Sequence, residues 1–175
     1  MDTRMKKLIS EQMRGFRLPR YAELPNMGLY LEQTVKYINS VLQPLGGMEL
    51  TGSMVSNYVK KDLIANPVKK QYYAEQIAYL FFVVVAKNPL SMEDIGLLIE
   101  MQRNTYTLPV AYDYLCDELE NMLFYIFGVR ETLEDLGTTQ SPEKDLLRSV
   151  ILSFALSVFI RKRVAGYRDN RTDVK

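Results

Sequence analysis

The chain of 175 residues has no histidine, no tryptophan and a single cysteine. Histidine is the most common general base near neutral pH and the most common metal ligand, so its absence excludes Ser-His and Cys-His catalysis. Only carboxylate or lysine chemistry is left, and the sequence has no Gly-rich phosphate loop, zinc-ligand spacing or nucleophile motif. The lone Cys116 cannot form an internal disulfide, which favours a reducing cytoplasm. We predict a cytoplasmic protein that is not an enzyme and uses no metal or cofactor.

Long apolar runs are missing as well. The two longest, 77–86 and 150–160, reach about half of the ~20 residues that a membrane-spanning helix requires. Lys6 and Lys7 are followed by only two apolar residues, so we expect no signal peptide. The hydrophobic share of 47% and the charged share of 25% are ordinary for a globular domain. These features predict a protein with no membrane partner.

The charge is unevenly distributed along the chain, although the net charge is only +1. Residues 1–87 have 12 Lys and Arg against 7 Asp and Glu, a net charge of +5. Residues 88–147 have 3 against 12, or −9, and residues 148–175 have 7 against 2, or +5. One reading is that a basic surface attracts a polyanion while the whole molecule stays near neutral. The other reading is that the basic ends pair with the acidic middle inside one fold.

Apolar periodicity predicts helices through most of the chain. Residues 29–42 have apolar side chains at i, i+4, i+7 and i+11, and Thr51-Gly52-Ser53 begins a second helix that runs to about Lys61. Residues 64–73 form a loop or a two-stranded flap, and 74–87 are so apolar that they predict a central core helix rather than a strand. We predict further helices after Ser91, over 108–127 and from Ser141 to about Val164, with a turn of helix at 131–136 and a polar, frayed tail.

The order of elements in residues 50–99 resembles the DNA-binding head of the MerR family of bacterial regulators. In that family, the second helix of a helix-turn-helix is followed by a leucine-isoleucine step, a wing ending in tyrosine, and two more helices. The stretch SMVSNYVKKDLIANPVKKQYYAEQIAYL matches that layout, and LSMEDIGLLI resembles the segment that follows it. From LPRYAELPNMGLYLEQTVKYIN through MVSNYVKKDLI to LSMEDI, the chain more closely resembles the bacterial family labelled domain of unknown function 1836. That resemblance implies a MerR-like head on a helical tail, and the label supplies no activity.

The candidate DNA contacts lie on the second helix and on the flap. A recognition helix needs short hydrogen-bonding side chains for base edges and cations for phosphates. We predict that four residues read the major groove: Ser53, Ser56, Asn57 and Lys60. We predict that five others hold the sugar-phosphate backbone: Lys61, Lys69, Lys70, Tyr72 and Tyr73. The alternative is a solvated helix face with ordinary surface lysines.

Other residues have simpler interpretations. Asp113, Asp117, Glu118 and Glu120 form an acidic patch that is a solvated or interface face, or else a site for a hard cation. We expect Tyr58 and Cys116 to be buried. The segment 121–127 contributes to core packing or a subunit contact, or else lines a ligand pocket. Arg161-Lys162-Arg163 either complements the dipole at the end of the last helix or contacts phosphate.

These patterns predict a mainly α protein, all-α apart from a small β wing. Its parts are a basic N-terminal arm and strap (1–28), a MerR-like winged helix-turn-helix (29–102), a C-terminal helical lobe (103–167) and a polar tail (168–175). The predicted function is that of a DNA-binding transcriptional regulator. It would bind double-stranded DNA as a homodimer formed through helix 107–128 or the last helix. The alternative is a protein-interaction module that kept the winged-helix shape without binding DNA, favoured by the acidic middle segment and by Ser56 where the family usually has arginine.

Overall fold

The computed structural model describes residues 10–47, 49–137 and 140–172, and the fold is mainly α, as predicted. A helical turn covers residues 10–14, and 3-10 turns cover Tyr21–Glu23 and Gln43–Leu45. The longer helices are α1 (Leu31–Leu42), α2 (Gly52–Lys60), α3 (Ala74–Ala86), α4 (Met92–Thr105), α5 (Leu108–Ile126) and α6 (Pro142–Thr172). Strands β1 (Leu29–Tyr30) and β2 (Gln71–Tyr72) pair antiparallel, with Leu29 opposite Tyr72 and Tyr30 opposite Gln71.

The helix starts follow from local capping, as the sequence indicated. The Thr51 hydroxyl accepts a hydrogen bond from the Met54 N–H (3.3 Å) at the start of α2. The Ser91 hydroxyl accepts one from the Asp94 N–H (3.1 Å), and the Asp94 carboxylate accepts in return from the Ser91 N–H. These bonds satisfy N–H groups that have no partner within the helix, so they fix where each helix begins.

Helix α3 is the centre of the fold. Its apolar side chains are buried nearly all round because α3 packs against α1, α5 and α6. The Phe81 ring lies between the rings of Tyr37 and Tyr112, with centroids 6.3 and 6.1 Å away. The buried side chains of residues 29–102 and 103–167 form one continuous cluster. The predicted head and lobe therefore share a single hydrophobic core.

Two predictions at the C-terminal end of the chain are wrong. The last helix does not end near Val164 with a frayed tail, because α6 continues through Gly166 to Thr172, and residues 173–175 lie outside the described residues. A glycine inside a helix costs only about 1 kcal/mol relative to alanine, which a long helix tolerates. The predicted helical turn at 131–136 is irregular instead. There the Asn121 side chain donates to the Glu134 carbonyl oxygen (2.8 Å) and accepts from its N–H (3.2 Å), so side-chain bonds replace helical ones.

The acidic patch on α5 holds the N-terminal strap. The Leu18 N–H donates to the Glu120 carboxylate (2.9 Å), and the Tyr21 N–H donates to Asp113 (2.7 Å). The Arg20 guanidinium bonds both Glu120 (2.7 Å) and Asp117 (2.5 Å), which places the strap across the helix. The patch is an interface face within the chain, and among the described residues no group of three or more acidic or cysteine side chains is arranged to hold a metal ion.

The strap also covers Cys116. The thiol is fully buried and points to the Pro19 carbonyl oxygen at a distance of 3.7 Å. Burial raises the pKa of Cys116 to about 12. The prediction that this cysteine is buried is confirmed, and at neutral pH almost none of it is thiolate, the reactive form.

Candidate nucleic-acid interface

Helix α2 is anchored by two buried side chains and by a pair of hydrogen bonds between Asn39 and Leu50, here called the Asn39 clip. Val55 and Tyr58 point into the core, which confirms the interpretation of Tyr58 as a core residue. The Asn39 side chain on α1 donates to the Leu50 carbonyl oxygen (2.8 Å) and accepts from the Leu50 N–H (2.9 Å). This two-way bond fixes the segment before α2 onto α1.

A Schellman motif ends α2 at Asp62. The Leu63 N–H donates to the Tyr58 carbonyl oxygen, and the Asp62 N–H donates to the Val59 carbonyl oxygen. The N···O distance is 3.0 Å in both hydrogen bonds. The motif requires a positive φ at the residue after the C-cap, and Asp62 has φ = 57°. Glycine normally takes that conformation, so aspartate holds it at some cost in strain.

The outer face of α2 presents the predicted polar residues to solvent. Ser53, Ser56 and Asn57 are exposed, as are Lys60 and Lys61 at the end of the helix. The Ser53 hydroxyl lies 3.0 Å from that of Thr51, and the Ser56 hydroxyl donates to the Gly52 carbonyl oxygen (2.9 Å). Each hydroxyl can still accept a hydrogen bond from a ligand. These candidate residues are thus accessible on α2, and their contact with DNA stays a prediction.

Lys69 and Lys70 form the tip of a hairpin. The Val68 N–H donates to the Gln71 carbonyl oxygen, and the Gln71 N–H donates to the Val68 carbonyl oxygen. The N···O distance is 3.0 Å in both hydrogen bonds. Both lysines have positive φ, 50° and 66°, so the two-residue loop is of type I′, which favours Asn-Gly. Two exposed lysines therefore occupy a strained turn, and strain of this kind is often found at functional sites.

The first of the two tyrosines after this tip is placed differently from the prediction. The Tyr72 ring is only 5% exposed, pairs across the sheet opposite Leu29 and joins the core, so it offers no surface to a sugar-phosphate backbone. A side chain on a strand alternates between faces, and Tyr72 lies on the inner one. Tyr73 is half-buried at the start of α3, and its N–H donates to the Gln76 side chain (2.8 Å). Tyr72 supports the base of the hairpin, and a contact of Tyr73 with a sugar-phosphate backbone stays a prediction.

A close backbone approach fixes the hairpin against the strap. A Cβ atom at Gly28 would lie 2.7 Å from the Gln71 Cβ and 2.8 Å from the Tyr73 ring, so only glycine fits there. The buried Gln76 side chain also donates to the Asn66 carbonyl oxygen (3.1 Å). These contacts hold both ends of the hairpin, leaving its tip projecting.

The candidate lysines differ in their surroundings from two arginines that are bonded to α5. Arg20 is paired with α5 carboxylates, and Arg148 bonds Glu118 (2.6 Å), which raises the pKa of both guanidinium groups. In contrast, no carboxylate of the described residues lies within 4.0 Å of the four candidate lysines, Lys60, Lys61, Lys69 and Lys70. The basic ends and the acidic middle thus pair in part, and these four lysines take no part in that pairing among the described residues.

Two other candidate segments have structural roles. In 121–127, Met122, Leu123 and Phe127 are buried, and Phe127 packs edge-on against Phe159 (5.3 Å), so the segment belongs to the core. Arg161-Lys162-Arg163 lies inside α6 rather than at its end, so the expected interaction with the helix dipole does not apply. Arg163 instead covers the Phe159 ring at 5.3 Å.

Sequence reasoning missed an apolar cavity of about 270 Å³. It lies among α3, α4, α5 and the start of α6, at the opposite end of α5 from segment 121–127. The lining includes Ala78, Phe82, Leu98, Ala111 and Leu147, together with Lys144. These residue types are ordinary for a core, so no signal in the sequence distinguishes them. The cavity exists because four elements meet there.

Comparisons with known proteins give one match. A search of curated proteins and a search of solved structures found nothing similar. Among the described residues, no helix is long and apolar enough to cross a membrane. The model of one family matches residues 19–115, a stretch that runs from the strap to the middle of α5 and includes α2 and the hairpin. The chain belongs to that family, the one described as domain of unknown function DUF1836.

Proposed function

We propose that the protein is a DNA-binding transcriptional regulator with a MerR-like winged helix-turn-helix head. The observation that carries the proposal is the position of the four candidate lysines, which are exposed, have no described carboxylate within 4.0 Å and lie on α2 and on the hairpin that follows it. Two of them adjoin the polar face of α2, and two form a projecting hairpin tip. Cations and short polar side chains are the groups that duplex DNA recognition uses.

In the proposed complex, α2 enters the major groove. Ser53, Ser56 and Asn57 face the base edges, since short hydroxyl and amide groups can donate to and accept from bases. Lys60 reaches a phosphate from within the groove, Lys61 meets another phosphate at the end of α2, and the hairpin tip contacts the backbone beside the groove. The Asn39 clip and the core anchors Val55 and Tyr58 set the angle of α2 before DNA is bound. Tyr72 acts through the hairpin base rather than by direct contact, and Tyr73 lies beside the backbone contact of the tip.

The pairing of β1 with β2 supports the MerR-like assignment. In the MerR family, which this region resembles, the wing follows the second helix of the helix-turn-helix. Here the hairpin follows α2, and its returning strand pairs with β1, which leads directly into α1. The family match adds no activity, so the proposal depends on this geometry and on the lysines.

Fluorescence anisotropy with a labelled random duplex of about 30 base pairs tests the proposal. Four lysine-phosphate contacts predict a slope of log K against log salt of about −3.6. Raising the salt concentration from about 50 to about 200 mM then weakens binding ~100-fold. No binding at about 50 mM salt by folded protein would contradict the proposal.

One variant separates DNA contact from folding. Replacing Lys69-Lys70 with Asn-Gly gives the type I′ turn its preferred residues while it removes two cations. We expect the salt slope to become about 1.8 less steep and the affinity at about 0.15 M salt to fall about 30-fold. The control is Arg130→Gln with Arg168→Gln, which removes two exposed cations from the C-terminal third of the chain. An equal loss in both variants would show that only net charge matters.

We further propose that the regulator is a homodimer formed through α6. Helix α5 is largely buried within the chain, whereas α6 exposes a line of apolar side chains: Leu152, Leu156, Ile160 and Val164. Heads of this kind bind two half-sites as dimers. Light scattering at about 50 µM should give twice the chain mass, and Leu156→Lys with Ile160→Lys should halve it. A monomer mass for the unmodified chain would contradict the dimer.

The second candidate function is a protein-interaction module of the same shape. One observation favours it: Glu49, Asp62 and Glu75 are exposed carboxylates in the same stretch as the four lysines. A surface of mixed charge suits a protein partner better than a polyanion. A folded protein without DNA affinity at low salt would favour this candidate.

A further inference from the structure

The cavity among α3, α4, α5 and α6 has the character of a small-molecule site. Ligand sites are mainly apolar concavities with a few placed polar groups. Here the walls are aliphatic and aromatic, with Ala78, Phe82, Leu98, Ala111 and Leu115 among them. Val110 lines the cavity and is 58% exposed, so the cavity meets solvent beside the first turn of α5. Residues of both the head and the lobe contribute to the walls.

The polar groups of the lining are placed at two ends. At one end, the Tyr79 hydroxyl donates to the Gln102 side chain (2.9 Å) and accepts from the Arg103 Nε (3.2 Å). The Gln102 Nε2 donates to the Tyr106 carbonyl oxygen (2.7 Å). These groups satisfy one another. A ligand therefore gains little by hydrogen bonding at this end, and its apolar part fits here.

Lys144 marks the other end. It is only 8% exposed, and its ammonium lies 3.1 Å from the Gly137 carbonyl oxygen and 5.9 Å from the centre of the Tyr114 ring. Gly137 and Tyr114 also line the cavity, so the ammonium lies at its wall. The nearest carboxylate among the described residues, that of Asp135, is 3.8 Å away and 63% exposed. Buried cations are normally closely paired, and a more distant, hydrated partner satisfies this one only in part.

We propose that the cavity binds a small apolar monocarboxylate, with its carboxylate at Lys144 and its hydrocarbon part among α3, α4 and α5. A cavity of about 150 Å³ with an apolar lining holds benzene, so about 270 Å³ accommodates about eleven non-hydrogen atoms. A medium-chain fatty acid or a monocyclic aromatic acid has this size. The site does not depend on the DNA proposal.

The charge of the ligand follows from the burial of the two ionisable groups at that end. Glu143 also lines the cavity but is half-buried at the start of α6, where the helix dipole stabilises its charge. Lys144 is more buried, and a charge in a less hydrated place interacts more strongly with a ligand. The carboxylate is therefore favoured over an amine.

Calorimetric titration of the full chain with octanoate, octanol and octylamine tests the proposal. We expect octanoate to bind about tenfold more tightly than octanol, and octylamine most weakly. Lys144→Met should reduce octanoate affinity about tenfold and leave octanol unchanged, while Lys36→Met, which removes an exposed lysine on α1, should change neither. Ala111→Phe fills the cavity and should weaken both octanoate and octanol more than tenfold.

Each contrary outcome has a definite meaning once circular dichroism shows a folded protein. Absence of binding by all three probes overturns the proposed site. Equal binding of octanoate and octanol, or tighter octylamine binding that Glu143→Gln removes, overturns the carboxylate assignment. Unchanged octanoate binding by Ala111→Phe places the ligand outside the cavity. DNA binding measured by anisotropy is a separate readout, so failure of either proposal is recognised independently.

Discussion

Two groups of cations in this chain have the same chemistry and opposite surroundings. Arg20 and Arg148 are half-buried and bonded to carboxylates of α5 across long sequence separations. The lysines of α2 and the hairpin tip are exposed, with no described carboxylate within ion-pair distance. Paired cations hold the strap and α6 onto α5, so they contribute to stability. Unpaired, exposed cations contribute little to stability and remain available to a ligand. This comparison predicts which substitutions change folding and which change binding.

The largest expected effect on stability is at Arg148. Its guanidinium bonds Glu118, whose side chain is 0% exposed, so Arg148→Met leaves a buried carboxylate without its cation. Breaking a buried pair from one side typically costs about 3 kcal/mol of unfolding free energy. Urea denaturation followed by circular dichroism measures the change. The double variant Glu118→Gln with Arg148→Met should recover most of the loss, and an equally unstable double variant would show that packing rather than charge is responsible.

The next largest effect on stability is expected at Arg20, which holds the strap on α5 and so keeps Cys116 covered. Arg20→Met removes the bonds to Glu120 and Asp117 and should favour a detached strap by about 1.4 kcal/mol. A free energy of this size corresponds to about tenfold faster labelling of the thiol by a thiol reagent at neutral pH. Arg17→Met is the control, because the carboxylate that pairs with Arg17 in the described part of the chain is the exposed Glu23. Equal labelling rates in both variants would show that the strap is held by its buried side chains alone.

The Asn-Gly variant of the hairpin tip should increase the unfolding free energy, whereas the two arginine variants decrease stability. Lys69 and Lys70 hold positive φ at a cost, and Asn-Gly adopts the type I′ turn readily, so we expect a gain of about 1 kcal/mol in unfolding free energy. The same variant is expected to lose DNA affinity, so stability and binding should move in opposite directions. A loss of stability would show that the lysine side chains make contacts that support the hairpin.

The smallest effect is expected at the end of α2. Lys60→Gln with Lys61→Gln should change the unfolding free energy by less than about 0.5 kcal/mol, since both residues are exposed and have no described carboxylate close by. Urea denaturation provides the measurement, and the salt slope of DNA binding should become less steep. A stability change above about 1 kcal/mol would show that these lysines contribute to folding, as Arg20 and Arg148 do, and would contradict the comparison.

Much of the local structure could be predicted from the sequence, because it depends on neighbouring residues. Gly128 illustrates this: glycine adopts positive φ freely, and the helix end predicted there is a Schellman motif with φ = 69°. Asp62 makes the same motif without glycine, so only the structure reveals it. The sequence equally predicted the serine and threonine caps, the helix α1 from its apolar periodicity and the buried helix α3 from its apolar composition. The exposed polar face of α2 followed from the same spacing.

The sequence by itself determined the helical class, the helix starts and the presence of a polar α2 beside a basic flap, since each depends on residues within a few positions. The tertiary structure decided which charges are paired, that Tyr72 faces inward, that residues 131–136 are held by Asn121, and that a cavity lies beside Lys144. Those outcomes depend on residues far apart in the chain that meet only when the helices pack. Burial then distinguishes the exposed lysines of the hairpin tip from Lys144 in the wall of the cavity, although the sequence shows lysine at each position.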